Sequence, residues 1–239
     1  MAVTPSVHAG YISNGCVDAD IIARARAGQS GVFVYGEGSP YRDITLPCGG
    51  SIEVRIFQDI DSEMLKSALS DLSGRKEAFL RIGAAPIIIR PRLHLRIAGR
   101  GAVCIALAEL AMASGFLVQV QSPEVDIFPG AIHLKDVDNP PALKDDSRTA
   151  MVCLFHDHDW ETALLQQALN GPAFYVGAMG SETTHIERSR KLSQAGMRPD
   201  QIKAIKAPIG LVSAQRDSRF LAISILAEII QTAQSKGLI

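Results

Sequence analysis

The chain has 239 residues, of which 47% are hydrophobic and 21% charged, and 24 basic residues against 25 acidic ones give a formal net charge of -1. This length and apolar fraction can bury a substantial core in one or two domains. The chain lacks the basic excess that binding to a phosphate backbone uses, which argues against nucleic acid as a partner.

The sequence also argues against the membrane and secreted classes. No apolar run reaches the roughly 18 residues of a membrane span, and the first ten residues lack the charged and apolar regions of a signal peptide. The four cysteines form no C-x-x-C pair and are too few and too scattered for a disulfide scaffold. We therefore expect a cytoplasmic protein with free thiols.

The first 90 residues predict a small α/β unit. Residues 17–27 fit a short helix, and GVFVY (31–35) and SIEVRIF (51–57) have the composition of strands. A polar helical pattern over 61–80 is followed by GAAPIIIRPR, where prolines at 86 and 91 favour an extended chain. We place a boundary there and assign 1–80 to an N-terminal domain and 81–239 to a second domain.

Strand-like and helical patterns alternate from residue 93 onward. Helical patterns cover 105–113, 160–169 and 184–194, and a last helix capped by Asp217 or Ser218 runs to Gly237. This alternation implies parallel βαβ units, so the predicted fold class is α/β, a small N-terminal α/β domain followed by a Rossmann-like parallel sheet domain. The predicted strands are HLRIA (94–98), FLVQV (116–120), TAMVCLF (149–155), AFYVGAM (173–179) and APIGLV (207–212).

The last helix also predicts the oligomeric state. Its sequence RFLAISILAEIIQTAQ is apolar on nearly every side of the first three turns, so it must be buried against the sheet or against a second subunit. Together with the preceding IGLVS turn, it carries more apolar surface than one face of a five-stranded sheet needs. We therefore expect a homodimer.

The turn after the first strand of the second domain nearly matches a dinucleotide fingerprint. Gly99 and Gly101 fit the first two positions of G-x-G-x-x-G/A, in which a phosphate approaches a helix N-terminus, but Cys104 stands at the third. The next strand ends in Gln121, where an acid would bind the ribose hydroxyls. The turn still suits a phosphate, with Arg100 adding a positive charge, whereas NAD(P) is expected to bind weakly or not at all.

Two cysteines adjoin glycines in the N-terminal domain. Cys16 lies at a predicted helix start, where backbone amides and the helix dipole lower a thiol pKa. Cys48 precedes Gly49 and Gly50, whose amides could form an anion-binding concavity. Each cysteine is also consistent with a small buried residue at a tight turn.

Two polar stretches follow predicted strands of the second domain, at the edge where open α/β sheets bind ligands. The first, His156 to Asp159, could bind a metal or transfer protons, or could simply cap the next helix, and we assign no metal to it. The second, with Gly177, Gly180 and Ser181, could accept an anion through its amides or only cap a helix.

Arginines are dense in two segments. Residues 81–100 contain five arginines and no acid, a patch that could hold a phosphate or face an acidic partner: Arg81, Arg90, Arg92, Arg96 and Arg100. Residues 183–206, which include Arg188, are also basic, and we interpret them as a solvated face.

Six motifs, in this order, resemble the XdhC/CoxI family over nearly the whole chain: GYISNGCV, LPCGGSIEV, FHDHD, YVGAMGSETTH, APIGL and AISILAEII. The resemblance implies an accessory protein that binds molybdenum cofactor (molybdopterin), protects it during sulfuration and passes it to a xanthine dehydrogenase-type molybdoenzyme. It also implies a Rossmann domain in the C-terminal half and makes a cysteine desulfurase a further candidate partner.

Carried over position by position, the resemblance implies a set of cofactor-binding residues. The thiols of Cys16 and Cys48 lie near the cofactor in the N-terminal domain, and glycines shape its approach. The other residues form the rims of the Rossmann cleft, so that the full set is Cys16, Cys48, Gly49, Gly50, Gly99, Arg100, Gly101, His156, Asp157, His158, Gly177, Gly180 and Ser181.

The chain departs from the family pattern at several places. It begins after the segment that carries a G-S-x-P-R motif, so a first strand and an arginine are expected to be missing. Glu182 and Thr183 replace the arginines that often follow G-S, and Val212 replaces the aspartate after P-I-G-L. These changes weaken an ordinary nucleotide site.

Three functions remain open from the residues. A cofactor-binding maturation protein is favoured, because the thiols have no evident general base beside them and we assign no catalytic residue. An NAD(P)-dependent oxidoreductase is supported by the fold but opposed by Gln121 and by the lack of a catalytic dyad. A divergent scaffold that binds no cofactor and only contacts a partner enzyme would fit the lost motif residues.

Overall fold

The computed structural model describes residues 1–13, 15–37, 39, 49–83, 85–155 and 159–239. The chain divides into two compact units, Met1–Pro91 and Arg92–Ile239. The predicted domain bounds, 1–80 and 81–239, stay a prediction about independently folding parts. In the described ranges, no helix has the length and apolar character needed to cross a membrane.

A helix on a hairpin forms the first half of the N-terminal unit. After a short antiparallel pair, β1 (Ala2–Val3) and β2 (His8–Ala9), come helix α1 (Cys16–Arg26) and the antiparallel strands β3 (Gly31–Gly36) and β4 (Ser51–Ile56). Apolar residues of α1 pack on the hairpin because they recur on one helix face. The core consists of Val17, Ile21, Tyr35, Val54 and Ile56. The predicted helix and both predicted strands are confirmed.

The second half of this unit differs from the prediction. Helix α2 (Ser62–Ser73) ends well before residue 80, and an antiparallel hairpin follows, β5 (Ala78–Ile82) and β6 (Ala85–Ile89). Pro86 obscured this hairpin in the sequence. A two-stranded ladder tolerates this proline because one edge of each strand has no partner strand. On that edge the N–H that proline lacks is not needed for the ladder.

The second unit is a doubly wound α/β domain, which confirms the predicted fold class. Its five strands are all parallel and lie in the order β11, β10, β7, β8, β9. In chain order the elements are β7 (His94–Gly99), α3 (Gly101–Ala113), β8 (Leu117–Ser122), β9 (Ile132–His133), β10 (Thr149–Leu154), α4 (Glu161–Asn170), β11 (Tyr175–Ala178), α5 (Glu182–Gln194), α6 (Pro199–Lys203) and α7 (Ser218–Ser235).

Helices cover both faces of this sheet, and two apolar cores result. On one face α3 and α7 pack together against the central strands, with Leu107 and Ile225 among the fully buried residues. On the other face, Leu164 of α4 and Leu192 of α5 are fully buried against Met151 of β10. Burial on both faces explains why β7 and β10 are nearly continuous apolar runs in the sequence.

One predicted strand is wrong. Residues 207–212 form no strand; only an isolated parallel bridge joins Gly177 to Lys206 just before them. Pro208 has no N–H to donate to a ladder, and Gly210 has a φ of 99°, outside the range of a strand. The fifth strand of the sheet is instead the short β9, whose Ile132 pairs with Gln121 of β8.

Candidate functional site

The predicted Rossmann cleft lies at the carboxyl edge of the sheet. The chain passes from β7 outward through β8 to β9 and then returns to β10 on the other side of β7. The order therefore reverses between β7 and β10, and open α/β sheets bind ligands at such a point. Gly99 ends β7, Phe155 directly follows β10, and Gly180 and Ser181 follow β11. The fold brings the predicted site residues Gly99, Gly180 and Ser181 to one edge, together with Phe155, which was not predicted.

Gly99 and Gly101 in this turn are glycines for different structural reasons. A Cβ on Gly99 would stand 2.7 Å from Leu154 Cβ and 2.9 Å from the Leu154 carbonyl oxygen, so only glycine allows β7 and β10 to approach this closely. Gly101 has a φ of 74°, which other residues rarely adopt, and nothing lies within 4 Å of the position of its would-be Cβ. Gly99 is thus explained by packing, and Gly101 faces open space.

An acid of this chain occupies the turn. The Gly101 amide donates a hydrogen bond to Glu124 Oε2 at 3.2 Å. Glu124 lies three residues beyond Gln121 and is exposed. A cavity of about 360 Å³ is lined by Glu124 and by further residues up to His133, but not by the glycine turn itself. Glu124 is not among the predicted site residues, although an acid just past the end of a strand was a usable signal.

Arg100 places a positive charge beside the turn. It precedes the first residue of α3, and its guanidinium carbon lies 5.7 Å from the centroid of the Phe155 ring. Phe155 is buried and stacks on Trp160, with 6.4 Å between the ring centroids. The aromatic face and the cation attract each other. Arg100 is therefore held at the point where the strand order reverses, as a phosphate site there requires.

Two of the cysteines are core residues. Cys104, at the third fingerprint position, is fully buried, and burial together with the Glu124 carboxylate raises its thiol pKa to about 12. Cys153 in β10 is also fully buried, and burial raises its pKa. A thiol is nucleophilic and binds metals only as its thiolate, so neither group is reactive at neutral pH.

The structure explains why Gln121 stands where a dinucleotide site has an acid that binds the ribose hydroxyls. Its side chain is fully buried and accepts a hydrogen bond of 2.7 Å from Arg96 Nε. Arg96, also fully buried, further donates to Asp145 Oδ2 at 2.8 Å and to Gln167 Oε1 at 3.0 Å. Assigning Arg96 to a phosphate-binding or partner-binding patch is therefore wrong, because its guanidinium joins two strands, a loop and α4 inside the domain.

The turn after β11 is shaped by close packing and by a helix cap. A Cβ on Gly177 would stand 2.6 Å from Ile209 Cδ1, and Gly180 has a φ of 131°. Ser181 Oγ accepts a hydrogen bond from the Thr184 amide at 3.2 Å, which confirms the capping interpretation of Ser181. Anion binding by the amides of this turn stays a prediction.

Arg188 stabilises the turn that follows β11. Only 2% of its side chain is exposed, and it forms a two-pronged ion pair with Glu161, Nε to Oε2 at 3.0 Å and Nη2 to Oε1 at 2.8 Å. Nη2 also donates to the carbonyl oxygen of Met179 at 2.6 Å. The prediction that Arg188 lies on a solvated face is therefore wrong. Its partners come from α4 and from the end of β11, which sequence spacing does not reveal.

In the N-terminal unit, Asp18 forms the turn that precedes Cys16. Its carboxylate accepts backbone N–H groups of Ile12 at 2.6 Å, Gly15 at 2.8 Å and Ser13 at 3.2 Å. These hydrogen bonds, that of Ile12 above all, hold the pKa of Asp18 below its usual value. Asp18 is only 5% exposed. It therefore acts as a structural acid rather than as a base for a neighbouring thiol.

Contacts along α1 show which end of the hairpin its start approaches. Asp20, one turn after the helix start, accepts a hydrogen bond of 2.6 Å from the Tyr35 hydroxyl near the end of β3. At the other end of α1, the Ala25 carbonyl accepts from Gln58, which follows β4. The start of α1 thus lies toward the end of the hairpin where Gly49 and Gly50 precede β4.

Several predicted site residues lie outside this description. The structure places the backbone of Cys16 at the start of α1, but its side chain is outside the described part, as are Cys48, His156, Asp157 and His158 entirely. Among the described residues, no group of three His, Cys, Asp or Glu residues could hold a metal ion. The roles of the two thiols and of the histidines stay predictions.

Comparison with known proteins gives consistent matches. The family model described as the XdhC Rossmann domain matches residues 95–229. A protein named molybdenum cofactor insertion chaperone PaoD, from Escherichia coli strain K12, is 32% identical over 246 residues, covering 93% of this chain and 73% of that protein. An uncharacterized protein of the same organism, YqeB, is 27% identical over 169 residues, covering 68% of this chain and 30% of that protein.

A solved structure shares the fold. It is described as a xanthine dehydrogenase from Bacillus halodurans and superposes with a TM-score of 0.72, covering 95% of this chain and 83% of that one. The sequence identity is 21%, so this likeness concerns the fold alone.

Proposed function

The chain belongs to the XdhC family, and on that basis we propose that it binds molybdenum cofactor and assists its sulfuration and its insertion into a xanthine dehydrogenase or a related molybdenum hydroxylase. One observation carries this proposal: the alignment with a molybdenum cofactor insertion chaperone extends over 93% of the chain. The protein acts as a binding and transfer protein, and no residue is assigned to catalysis. The predicted cytoplasmic location is part of this proposal.

In the second unit, the glycine turn fits the phosphate of molybdopterin. Gly101 is the first residue of α3, where the helix dipole favours an anion, and a bound phosphate would replace the exposed Glu124 carboxylate that now accepts the Gly101 N–H at 3.2 Å. The Arg100 guanidinium supplies the charge-assisted hydrogen bonds that a phosphate takes. The turn at Gly177, Gly180 and Ser181 forms the opposite rim, and His156, Asp157 and His158, which lie outside the described residues, stay in the proposed set from their sequence alone.

In the first unit, we assign the cofactor contact to Cys16 and Cys48. Both are next to glycines, and the described backbone places the start of α1 toward the end of the hairpin that carries Gly49 and Gly50. Thiolate sulfur is the soft ligand that suits a sulfur-bound metal centre. The cofactor itself supplies the molybdenum chemistry, and the chain supplies sulfur ligands, amides and shielding from water. A cysteine desulfurase would deliver the sulfur during sulfuration.

A nicotinamide-dependent oxidoreductase is less consistent with the same residues. Gln121, at the ribose position, is turned inward to Arg96. At this position the chain therefore has no acid to bind the ribose hydroxyls of a dinucleotide.

We also propose that the protein is a homodimer. Phe220 and Ile223 of α7 are 57% and 53% exposed, three residues apart on one helix face. Leu211 and Val212 are 52% and 56% exposed, and the Val212 amide donates to Ser224 Oγ at 2.7 Å, which places this turn against α7. We infer that these four side chains belong to one apolar surface, which a second copy of the chain would cover.

The function is tested by purifying the protein from a host that makes molybdenum cofactor and from one that does not. Bound pterin is measured by its fluorescence after oxidation, and delivery is measured as activation of a cofactor-free molybdenum hydroxylase. We expect pterin and activation only with protein from the first host. Absence of both would favour a scaffold that only contacts the partner enzyme.

A further inference from the structure

Strand β6 has the sequence of a strand that is covered on both faces, yet it lies at an open edge of a two-stranded sheet. Its residues 86–89 read PIII, and an unbroken apolar run is typical of strands buried on both faces. Ile87 and Ile88 are 45% and 49% exposed, and they point to opposite faces because side chains alternate along a strand. Strand β4, by contrast, exposes the charged residues Glu53 and Arg55. The apolar surface of β6 therefore lacks the cover that its sequence is suited to.

The register of the hairpin shows which backbone groups of β6 face the open edge. Arg81 of β5 donates its N–H to Met64 Sδ of α2 at 3.4 Å, so this N–H points away from β6. In an antiparallel pair, two opposite residues turn their backbone groups either both toward the partner strand or both away from it. Arg81 is opposite Pro86, and Phe79 is opposite Ile88. The N–H and C=O of Ile88 therefore point away from β5, and no further strand within the described ranges pairs with them.

The charges around this edge distinguish between possible occupants. Between Glu77 and Glu109 the sequence contains no acid. Arg81 is exposed and forms no ion pair with any residue that the structure describes, and Arg90 already pairs with Glu77 at 3.0 Å. A second copy of β6 at this edge would bring further arginines without a free acid, and like charges on neighbouring strands are unfavourable. A segment with acidic side chains would complement the arginines.

We propose that β6 binds an extended segment of a partner protein as a third strand, and that this segment is apolar at its centre and acidic at its ends. Its backbone pairs with the outward N–H and C=O of Ile88, which is the usual mode of strand addition to a sheet edge. Its central side chains cover Ile87 on one face and Ile88 on the other, beside Phe79, which is 61% exposed. Its acids lie two residues to either side of the centre, on the face that carries Arg81 and beside Arg90.

The test uses two labelled peptides, acetyl-Glu-Val-Ile-Val-Glu-amide and its basic counterpart acetyl-Lys-Val-Ile-Val-Lys-amide. The full chain is titrated into each, and fluorescence anisotropy gives the dissociation constants. We expect the acidic peptide to bind at least about tenfold more tightly than the basic one, equivalent to about 1.4 kcal/mol. Arg81→Glu should abolish this preference. Arg55→Glu, which should preserve it, is the matched control, because the Arg55 side chain is 51% exposed on a strand of the other hairpin.

Ile88→Pro tests the backbone contact separately. Proline removes the outward N–H, which the ladder between β5 and β6 does not use, so the variant should keep its fold in thermal unfolding. We expect its affinity for the acidic peptide to fall at least about tenfold. If this variant did not fold, the comparison of Arg81→Glu with Arg55→Glu alone would decide.

Several results would overturn the inference: equal binding of the two peptides to the parent, binding of neither, an equal effect of Arg55→Glu, or unchanged affinity of a folded Ile88→Pro. A lower mass of Arg81→Glu or Ile88→Pro than of the parent in light scattering would assign the edge to a second copy. The peptides contain no cofactor, so the outcome is independent of bound pterin, which tests the proposed function.

Discussion

Replacing Arg188 by glutamine should destabilise the protein severely, although the sequence places this arginine in a segment typical of a solvated face. The substitution removes both hydrogen bonds to Glu161 and the one to the Met179 carbonyl. The Glu161 side chain is only 2% exposed, so its carboxylate would stay away from water without the charge that now balances it. Burying a charge without its counter-charge is strongly unfavourable.

The size of the effect follows from this burial. Removing one partner of a buried ion pair lowers the free energy of unfolding by about 3 to 5 kcal/mol. In a chain of 239 residues, each kcal/mol lowers the melting temperature by about 2 to 4 °C, so we expect a loss of about 6 to 20 °C. The 179–181 turn at the rim of the cleft should loosen at the same time, because Arg188 holds the Met179 carbonyl.

Arg190→Gln provides the matched control. Arg190 lies on the same helix and also pairs with a glutamate, Glu187, at 2.6 Å, but the two side chains are 54% and 41% exposed. An exposed ion pair contributes little to stability, so this variant should melt within about 4 °C of the parent. Thermal unfolding followed by circular dichroism measures both. If the two variants lost stability equally, or if Arg188→Gln melted like the parent, the reasoning from burial would be refuted.

Three further predictions concern the ligand and the assembly. Cys16→Ser and Cys48→Ser should each sharply lower the pterin that copurifies, whereas Cys153→Ala, inside the buried β10, should leave it unchanged; equal retention in all three would make the first two packing residues. NAD and NADP should bind with dissociation constants above about 10 µM in calorimetry, and tighter binding would favour the oxidoreductase. Ile223→Glu should convert a dimer to a monomer in light scattering at roughly 100 µM, whereas Ile186→Glu, on α5 and more exposed than Ile223, should not; a monomeric parent would contradict the dimer.

Hydrophobic periodicity was sufficient to predict most of the fold. The last helix shows this well, because its predicted cap and stop agree with α7, which begins after Asp217 and ends two residues before Gly237. The central strands were equally visible, since burial on both faces requires unbroken apolar runs. The pattern failed where proline intervened. Pro86 argued against a strand that is present in the structure, whereas the apolar residues around Pro208 predicted a strand that does not form.

The candidate site was predictable only in its backbone. Glycines at 99 and 101 indicated a turn because glycine is nearly required there, but charge counts could not tell a surface arginine from a buried one. The partners of Arg96 are 25 to 71 residues away in the sequence, on β8, on a loop and on α4. Only the fold brings such groups together, so neither the burial of Arg96 nor the inward turn of Gln121 follows from local spacing.

At two predicted helix starts, where amides were expected to favour a thiolate or a phosphate, an acid of the chain already accepts a backbone N–H, and the two acids differ in burial. Asp18 binds the amides before α1 from an almost fully buried position, with three backbone donors, so removing it would dismantle the turn. Glu124 binds one amide at the start of α3 from an exposed position. An exposed carboxylate regains hydration when it leaves, whereas a buried one has no such compensation. The amides before Cys16 are therefore fixed by the protein itself, whereas the single hydrogen bond from Gly101 to the exposed Glu124 carboxylate costs less to break.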